Sequence, residues 1–346
     1  MAYSTINKPT DYFNTVLYSG TGSSNSVTGV GFQPDWTWIK SRNNTRNHNV
    51  YDSVRGTTKV IYTDLTNAES TQASGLTAFN SDGFTVVSDL GVNGASDNYA
   101  SWNWLAGGSA SSNTDGSITS SVSANTTSGF SVVSYTGTGA NATVGHGLGA
   151  APTMIFVKKR SVAGGDWVVS GDNVEWTKYL YLNSTQVRNT NNFFQDTAPT
   201  SSVFTLSSDG GVNQSSTTFV AYCFVEKKGY SKFGSYTGNG NNDGAFIYTG
   251  FKPAMIIIKD TSAVNNWRLF DNKRPAFNQT DKLLFPSVSN AETVNVAGSG
   301  AIDITSNGFK CRSSAAGING SGSTFIYMAF AERSLVGTNG VPALAR

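Results

Sequence analysis

One pattern recurs three times along this chain, and it constrains the fold more than any other feature. Each copy opens on a Tyr-x-Gly-x-Gly turn: Tyr18-Ser-Gly-Thr-Gly22, Tyr135-Thr-Gly-Thr-Gly139 and Tyr236-Thr-Gly-Asn-Gly240. Each then passes a proline and enters an apolar run that ends in lysine, Trp36 to Lys40, Met154 to Lys158 and Met255 to Lys259. Each closes with an asparagine, a polar turn and an aromatic run, over Asn93 to Trp104, Asn213 to Phe224 and Asn319 to Phe330. The copies lie about 100 residues apart, too long for a solenoid repeat and the size of a small domain. The sequence therefore predicts three related modules, at 1–105, 129–227 and 228–346, the last with a short C-terminal tail. A Gly/Ser/Thr-rich segment, 106–128, reads as a linker between the first two, and the short 226–229 joint predicts that modules two and three share an interface.

The local chemistry is that of strands and turns. Glycines two apart permit positive φ and a tight reversal. A proline at a strand's entry needs no ladder partner, and the apolar run after it suggests a strand buried on both faces. Charged residues make up only 13% of the chain and glycine 37 of 346 residues, so polarity comes from short uncharged side chains that suit turns and strand faces; long surface helices would want Glu, Lys, Ala and Leu. Aromatics at 12% supply the apolar area that disordered chains lack. The expected fold is all-β: three tandem, related β-sandwich modules of jelly-roll or lectin-like type, with Lys40, Lys158 and Lys259 at corresponding strand ends.

Charge and length exclude several partners. The net charge is +2 with no dense Lys/Arg run, so the footprint that a phosphate backbone demands is missing and nucleic acid is not expected. The longest apolar runs, Phe219 to Val225 and Phe325 to Ala331, are about a third of a membrane span, so no membrane insertion is expected. The first nine residues hold no apolar signal core, and no export address is expected. Cys223 and Cys311 stand at non-equivalent points of modules two and three, which predicts buried free thiols in a reducing cytosol.

No constellation stands out as catalytic. His48 and His146 fall at different points of different modules without a partner pattern, so both read as solvated loop residues and no metal is expected. No Gly-x-Ser-x-Gly elbow sits between a strand and a helix. The 239–244 loop lacks the ligand spacing of a calcium site and reads as a turn. Glycan hydrolysis needs only two carboxylates, and Asp52, Asp82, Asp89, Asp172 and Asp271 are the candidates. Asp52 and Asp271 each precede an arginine by three residues, Arg55 and Arg274, which reads more simply as a structural ion pair. Trp36, Trp38, Trp102 and Trp104 are paired at period two, so each pair shares a face. An exposed face would give an aromatic binding platform carried by Trp36 and Trp102; apolar residues at the equivalent positions of the other modules favour core.

The Tyr-Thr-Gly-x-Gly openings, the Gly-Phe-x-Pro strands ending in lysine, the Phe/Tyr-Asp-x-x-Arg step and the asparagine-to-aromatic closures together resemble a repeated domain of unknown function in virion and tail-fibre structural proteins of marine tailed bacteriophages. The similarity covers 18–104, 129–226 and 230–333, and Asn339-Gly-Val-Pro342 is like the ends of those proteins. The resemblance implies a virion structural protein assembled in the host cytoplasm, a tail appendage or fibre component with potential for host attachment. A capsid decoration protein is the alternative, and a glycan-binding or glycan-degrading protein the second alternative. It implies no catalytic residues, cofactor or enzyme activity. The expected partners are other virion proteins, further copies of the chain in a homo-oligomer, and a host surface glycan or protein. Module two lacks the Asp-x-x-Arg step, so no ligand site common to all three modules follows.

Overall fold

Each run that follows a proline forms a central strand: Trp36–Ser41, Met154–Lys159 and Phe251–Asp260. The computed structural model in which they are seen describes residues 4–275, 277–294 and 300–336; the Asn339-Gly-Val-Pro342 segment lies outside them. Each central strand pairs antiparallel with the closing aromatic strand of its own module, Asn98–Trp104, Thr218–Phe224 or Thr324–Ser334, which pairs in turn with the opening strand, Phe13–Ser19, Phe130–Thr136 or Ser231–Thr237. The register is the same in all three: Trp36 opposes Trp104, Met154 opposes Phe224, and Met255 opposes Phe330. Lys40, Lys158 and Lys259 thereby occupy one position in three sheets, as the spacing predicts. Smaller outer sheets face these main ones, built on Asn25–Thr28 with Gly83–Val86, Ala142–Gly145 with Val203–Leu206, and Phe246–Tyr248 with Gly308–Cys311. The chain is all-β and sandwich-like, and its described residues hold three one-turn α-helices, α1 (Leu90–Asn93), α2 (Gly210–Asn213) and α3 (Ala316–Asn319), besides a 3-10 turn at Pro9–Asp11.

The Tyr-x-Gly-x-Gly turn and the closing asparagine recur because each needs the other. Tyr18, Tyr135 and Tyr236 donate their hydroxyls to the carbonyls of Val92, Val212 and Ile318, at 2.6, 2.7 and 2.6 Å. Asn93, Asn213 and Asn319, wholly buried at the ends of the helices, accept at Oδ1 from the backbone of Thr21, Thr138 and Asn239 at 2.9, 2.8 and 2.9 Å. The first glycine of each turn is required by close approach: a Cβ on Gly20, Gly137 or Gly238 would lie 2.1–2.4 Å from a backbone oxygen of the segment after the helix. The sequence pattern is thus one buried polar clamp, made three times.

Period two along the central and closing strands sends alternate side chains into two different cores. Ile39, Ile155, Val157, Ile256 and Ile258 point into the sandwich of their own module. Trp36, Trp38, Met154, Phe156, Met255 and Ile257 point the other way, into one cluster shared by all three modules. From the closing strands Trp102, Trp104, Tyr222, Phe224, Met328 and Phe330 join it. Trp104 and Phe224 both pack on Phe330, with ring centroids 5.4 and 6.0 Å apart, and Trp36 stacks on Tyr222 at 4.7 Å. The three main sheets therefore face one another around a common aromatic hub. Module one meets module three as well as module two: Phe13 stacks on Phe330 at 5.1 Å, and Ser334 Oγ lies against the Gly229 and Ile6 carbonyls at 2.8 and 3.3 Å.

The 106–128 segment is not the linker its composition suggests. Ser111–Asn113 and Ser120–Asn125 are strands that extend the main sheet of module two beyond Phe130–Thr136, and Ile118 bridges Val144 of the outer sheet. Val122 and Ile118 supply the only large buried apolar groups there. Edge strands are held by backbone pairing and need few apolar side chains.

Because Phe330 is 2% exposed and touches aromatics from all three modules, Phe330→Ala is expected to cost about 3–5 kcal/mol. Urea denaturation of the variant against the parent chain measures this, and an unchanged midpoint would contradict the hub.

Candidate functional site

Among the described residues the most deeply buried ion pairs of this chain lie where modules meet. At the seam of modules one and two, Asp52 lies fully buried at the end of Asn49–Asp52. Arg55 Nε donates to its Oδ2 at 2.5 Å, and the hydroxyl of Tyr222, from module two, donates to the same oxygen at 2.7 Å. The guanidinium also reaches the Val50 carbonyl at 3.0 Å and Glu69 at 3.1 Å. Glu69 accepts two further bonds from Arg160 of module two, at 2.9 and 3.1 Å. Burial opposes the Arg55 charge, but Asp52, Tyr222 and Glu69 outweigh it and hold its pKa above the ordinary value. Burial likewise works against the Glu69 carboxylate, and Arg160 and Arg55 together keep its pKa below the usual range.

The seam of modules three and one repeats this network. Arg274 Nε donates to Asp271 at 2.6 Å, Trp102 Nε1 of module one donates to the same oxygen at 3.2 Å, and Glu292 takes Arg42 of module one in a forked pair at 2.9 and 3.0 Å. At the seam of modules two and three the equivalents are Gly171, Met328, Arg188 and Thr261, and the charged network is gone. Only its backbone bond survives: Arg188 N donates to the Thr261 carbonyl at 3.0 Å, as Glu69 does to Arg160 and Glu292 to Arg42. Gly171 admits no side chain, since a Cβ there would lie 2.4 Å from the Thr153 carbonyl.

The three lysines also bind across seams, in cyclic order. Lys40 Nζ donates to the Ser289 carbonyl of module three at 3.2 Å, Lys158 to Leu65 of module one at 3.2 Å, and Lys259 to Thr185 of module two at 3.0 Å. Burial pulls each ammonium down to about 8. Indole groups follow the same order: Trp167 donates to the Tyr62 carbonyl at 2.7 Å and Trp267 to Tyr181 at 2.9 Å. In module one that position is His48, which accepts from Trp38 Nε1 at 2.9 Å. Burial first, and the Lys40 charge second, push its pKa well down.

The structure corrects several expectations of site residues. Trp36 and Trp102, at 1% and 0% exposed, belong to the hub, so they form no surface platform. His48 and His146 are fully buried rather than solvated, because one replaces a seam tryptophan and the other accepts from the Leu148 amide at 3.2 Å. The five carboxylates do not converge. Asp52 and Asp271 are consumed by arginines, Asp82 accepts from the Gly29 and Gly31 amides, Asp89 caps α1, and Asp172 accepts from Trp176. Among the described residues no group of three or more His, Cys, Asp or Glu side chains could hold a metal, and Cys223 and Cys311 are buried free thiols.

Sequence reasoning missed a cleft of about 310 Å³ at the seam of modules three and one. Arg46, Asn47, Asn49, Tyr62 and Asp89 line it from module one, and Ser289 from module three. Arg46 N donates to the Ser289 carbonyl at 3.0 Å, which fixes the loop. Asn49 Nδ2 donates to the carbonyls of Asn47 and Gly91 at 2.9 and 3.1 Å. Asp89 is held by the Gly91 amide and by Gln72. Outside the cleft, the exposed aromatics with neighbours at period two are Phe246 and Tyr248, on the outer sheet of module three.

The chain belongs to the family described as a domain of unknown function, DUF7483, whose model matches residues 8–334 and so runs through all three modules. No curated protein and no solved structure gives a significant match.

Two measurements test the seams. Asp52→Asn removes one charge from a buried pair and leaves Arg55 under-compensated, so a loss of about 3–5 kcal/mol is expected in chemical denaturation. The lysines titrate near 8 when folded and near 10.5 when not, so between those values the unfolded chain binds more protons and stability rises with pH. Above about pH 9 the buried Cys223 and Cys311 thiols and the buried tyrosines reverse the trend, because only the unfolded chain can ionise them readily. Thermal midpoints should climb from about pH 7.5 to about pH 9; a flat profile would mean that the carbonyl acceptors hold the lysine protons against burial.

Proposed function

We propose that this member of the DUF7483 family is a bacteriophage virion structural protein, a tail appendage or fibre component that serves host attachment. The observation that supports this most is the closed arrangement of three sandwiches about one hub. A body that repeats its outer sheets and turns three times can dock on a threefold axis with all of its modules engaged, and it displays its outer loops three times. Its chemistry is spent on holding that body together. The carboxylates nominated for hydrolysis each have structural partners, which favours binding over glycan cleavage. Buried free thiols at Cys223 and Cys311 suit assembly in a host cytoplasm. In this reading the partners are neighbouring virion proteins, further copies of the chain and a host surface glycan or protein, met through the outer sheets.

The test is the particle itself. Mass spectrometry of gradient-purified virions should find this chain at stoichiometric abundance, and antibody labelling in electron microscopy should place it on the tail. Recovery only as a soluble protein in the lysate would overturn the structural role, and label on the head would favour a decoration protein.

A further inference from the structure

We propose that the cleft between modules three and one binds a carboxylate-bearing sugar unit of a surface glycan, with Arg46 as the group that reads the carboxylate. The proposal rests on the attachment reading above and names a site and a ligand class for it. Its central observation is the state of Arg46. The arginines of the two charged seams, Arg42, Arg55, Arg160 and Arg274, are all paired with carboxylates. Arg46 Nε is buried without any hydrogen-bond partner, and among the described residues no ion pair includes this side chain. Arg46 itself is half-buried and lines the cleft, so its guanidinium is placed to offer donors to an acceptor from outside the chain.

The surroundings select the ligand. Asp89 does not neutralise Arg46, since its carboxylate is held by Gly91 and Gln72. It does oppose a multiply charged anion in the same cleft, which favours one negative charge over a phosphate dianion. A planar guanidinium matches a carboxylate in two parallel bonds. The side-chain amide of Asn47 and the carboxylate of Asp89 are suited to ring hydroxyls, and Tyr62 supplies an aromatic wall. A volume of about 310 Å³ is at the small end of ligand sites, room for one sugar unit rather than a folded peptide. The site is also singular. Where Arg46 N meets Ser289, the matching bonds of the other seams are made by Gly164 to Thr66 and by Asn265 to Thr185, with no guanidinium.

Titration of the full-length ¹⁵N-labelled chain with glucuronate, galacturonate and N-acetylneuraminate, each against a carboxyl-reduced counterpart, tests the site. At least one acid should shift an arginine Nε resonance that disappears in Arg46→Gln, and the reduced sugar should bind about tenfold more weakly. Arg46→Gln should lose binding by a similar factor with an unchanged melting temperature, because the side chain makes no bond that holds the fold. Asn47→Asp, which adds a negative charge to the wall, should weaken the acid in the same way and serves if the first variant fails to fold. Lys8→Gln, an exposed control, should change nothing. Failure of all three acids, equal binding of the reduced sugars, or indifference to both cleft variants would overturn the site. Those failures in a chain that is present in purified virions would leave the structural role standing, so the two readings are separately decided.

Discussion

The burial of each main sheet on both faces is the constraint from which the rest of the molecule follows. One face is covered by the module's own outer sheet. The other carries Trp36, Trp38, Trp102 and Trp104 in module one and their apolar equivalents elsewhere, a surface far too large and continuous to leave in water. A single sandwich cannot cover it, and three sheets facing a common centre can. The modules are therefore repeats in sequence and parts of one hydrophobic unit in energy, with the aromatic hub as their shared interior.

The polar seams around the hub are graded by how the modules are tethered. Modules two and three are joined by the shortest connection, 226–229, and theirs is the seam without a charged network. Modules three and one have no direct covalent joint, and there Asp271, Arg274, Glu292, Arg42, Trp102, Lys40 and Arg46 all reach across or face the seam. A short tether keeps two faces at high effective concentration, so apolar contact and a few backbone bonds suffice. The untethered pair depends on specific recognition. Buried ion pairs are weak as sources of stability but effective at rejecting wrong partners.

What could be read from the sequence was whatever repeats locally. The Tyr-x-Gly-x-Gly turn, the proline-to-lysine strand and the closing asparagine are each a short segment whose physical demand is visible in its own residues, and all three occupy the same place in each module. The period-two tryptophans read as core from sequence, yet the core they enter belongs to the whole chain, which no window of sequence reveals. The 106–128 segment misled because edge strands need backbone groups more than apolar side chains. His48 gave no sign that it stands where Trp167 and Trp267 stand until the register was known. Pairs such as Lys40 with Ser289, or Arg42 with Glu292, join residues about 250 apart, and nothing in either partner's neighbourhood announces the other. Arg46 left no signal at all, since only the fold brings it to the cleft between modules three and one.

The cyclic order in which the lysines reach their neighbours has one further consequence. Module one grips three, two grips one, and three grips two, so every contact is head to tail and no module uses the same face twice. Such heterologous contacts either close on themselves or run on without end. Closure at the third module uses these seam faces within one chain, so further copies can be met only through the outer sheets. Shortened by a module, the same contacts would leave an open head and an open tail on either side of a gap of one module, and the missing module supplied as a separate chain would be the piece that completes the ring.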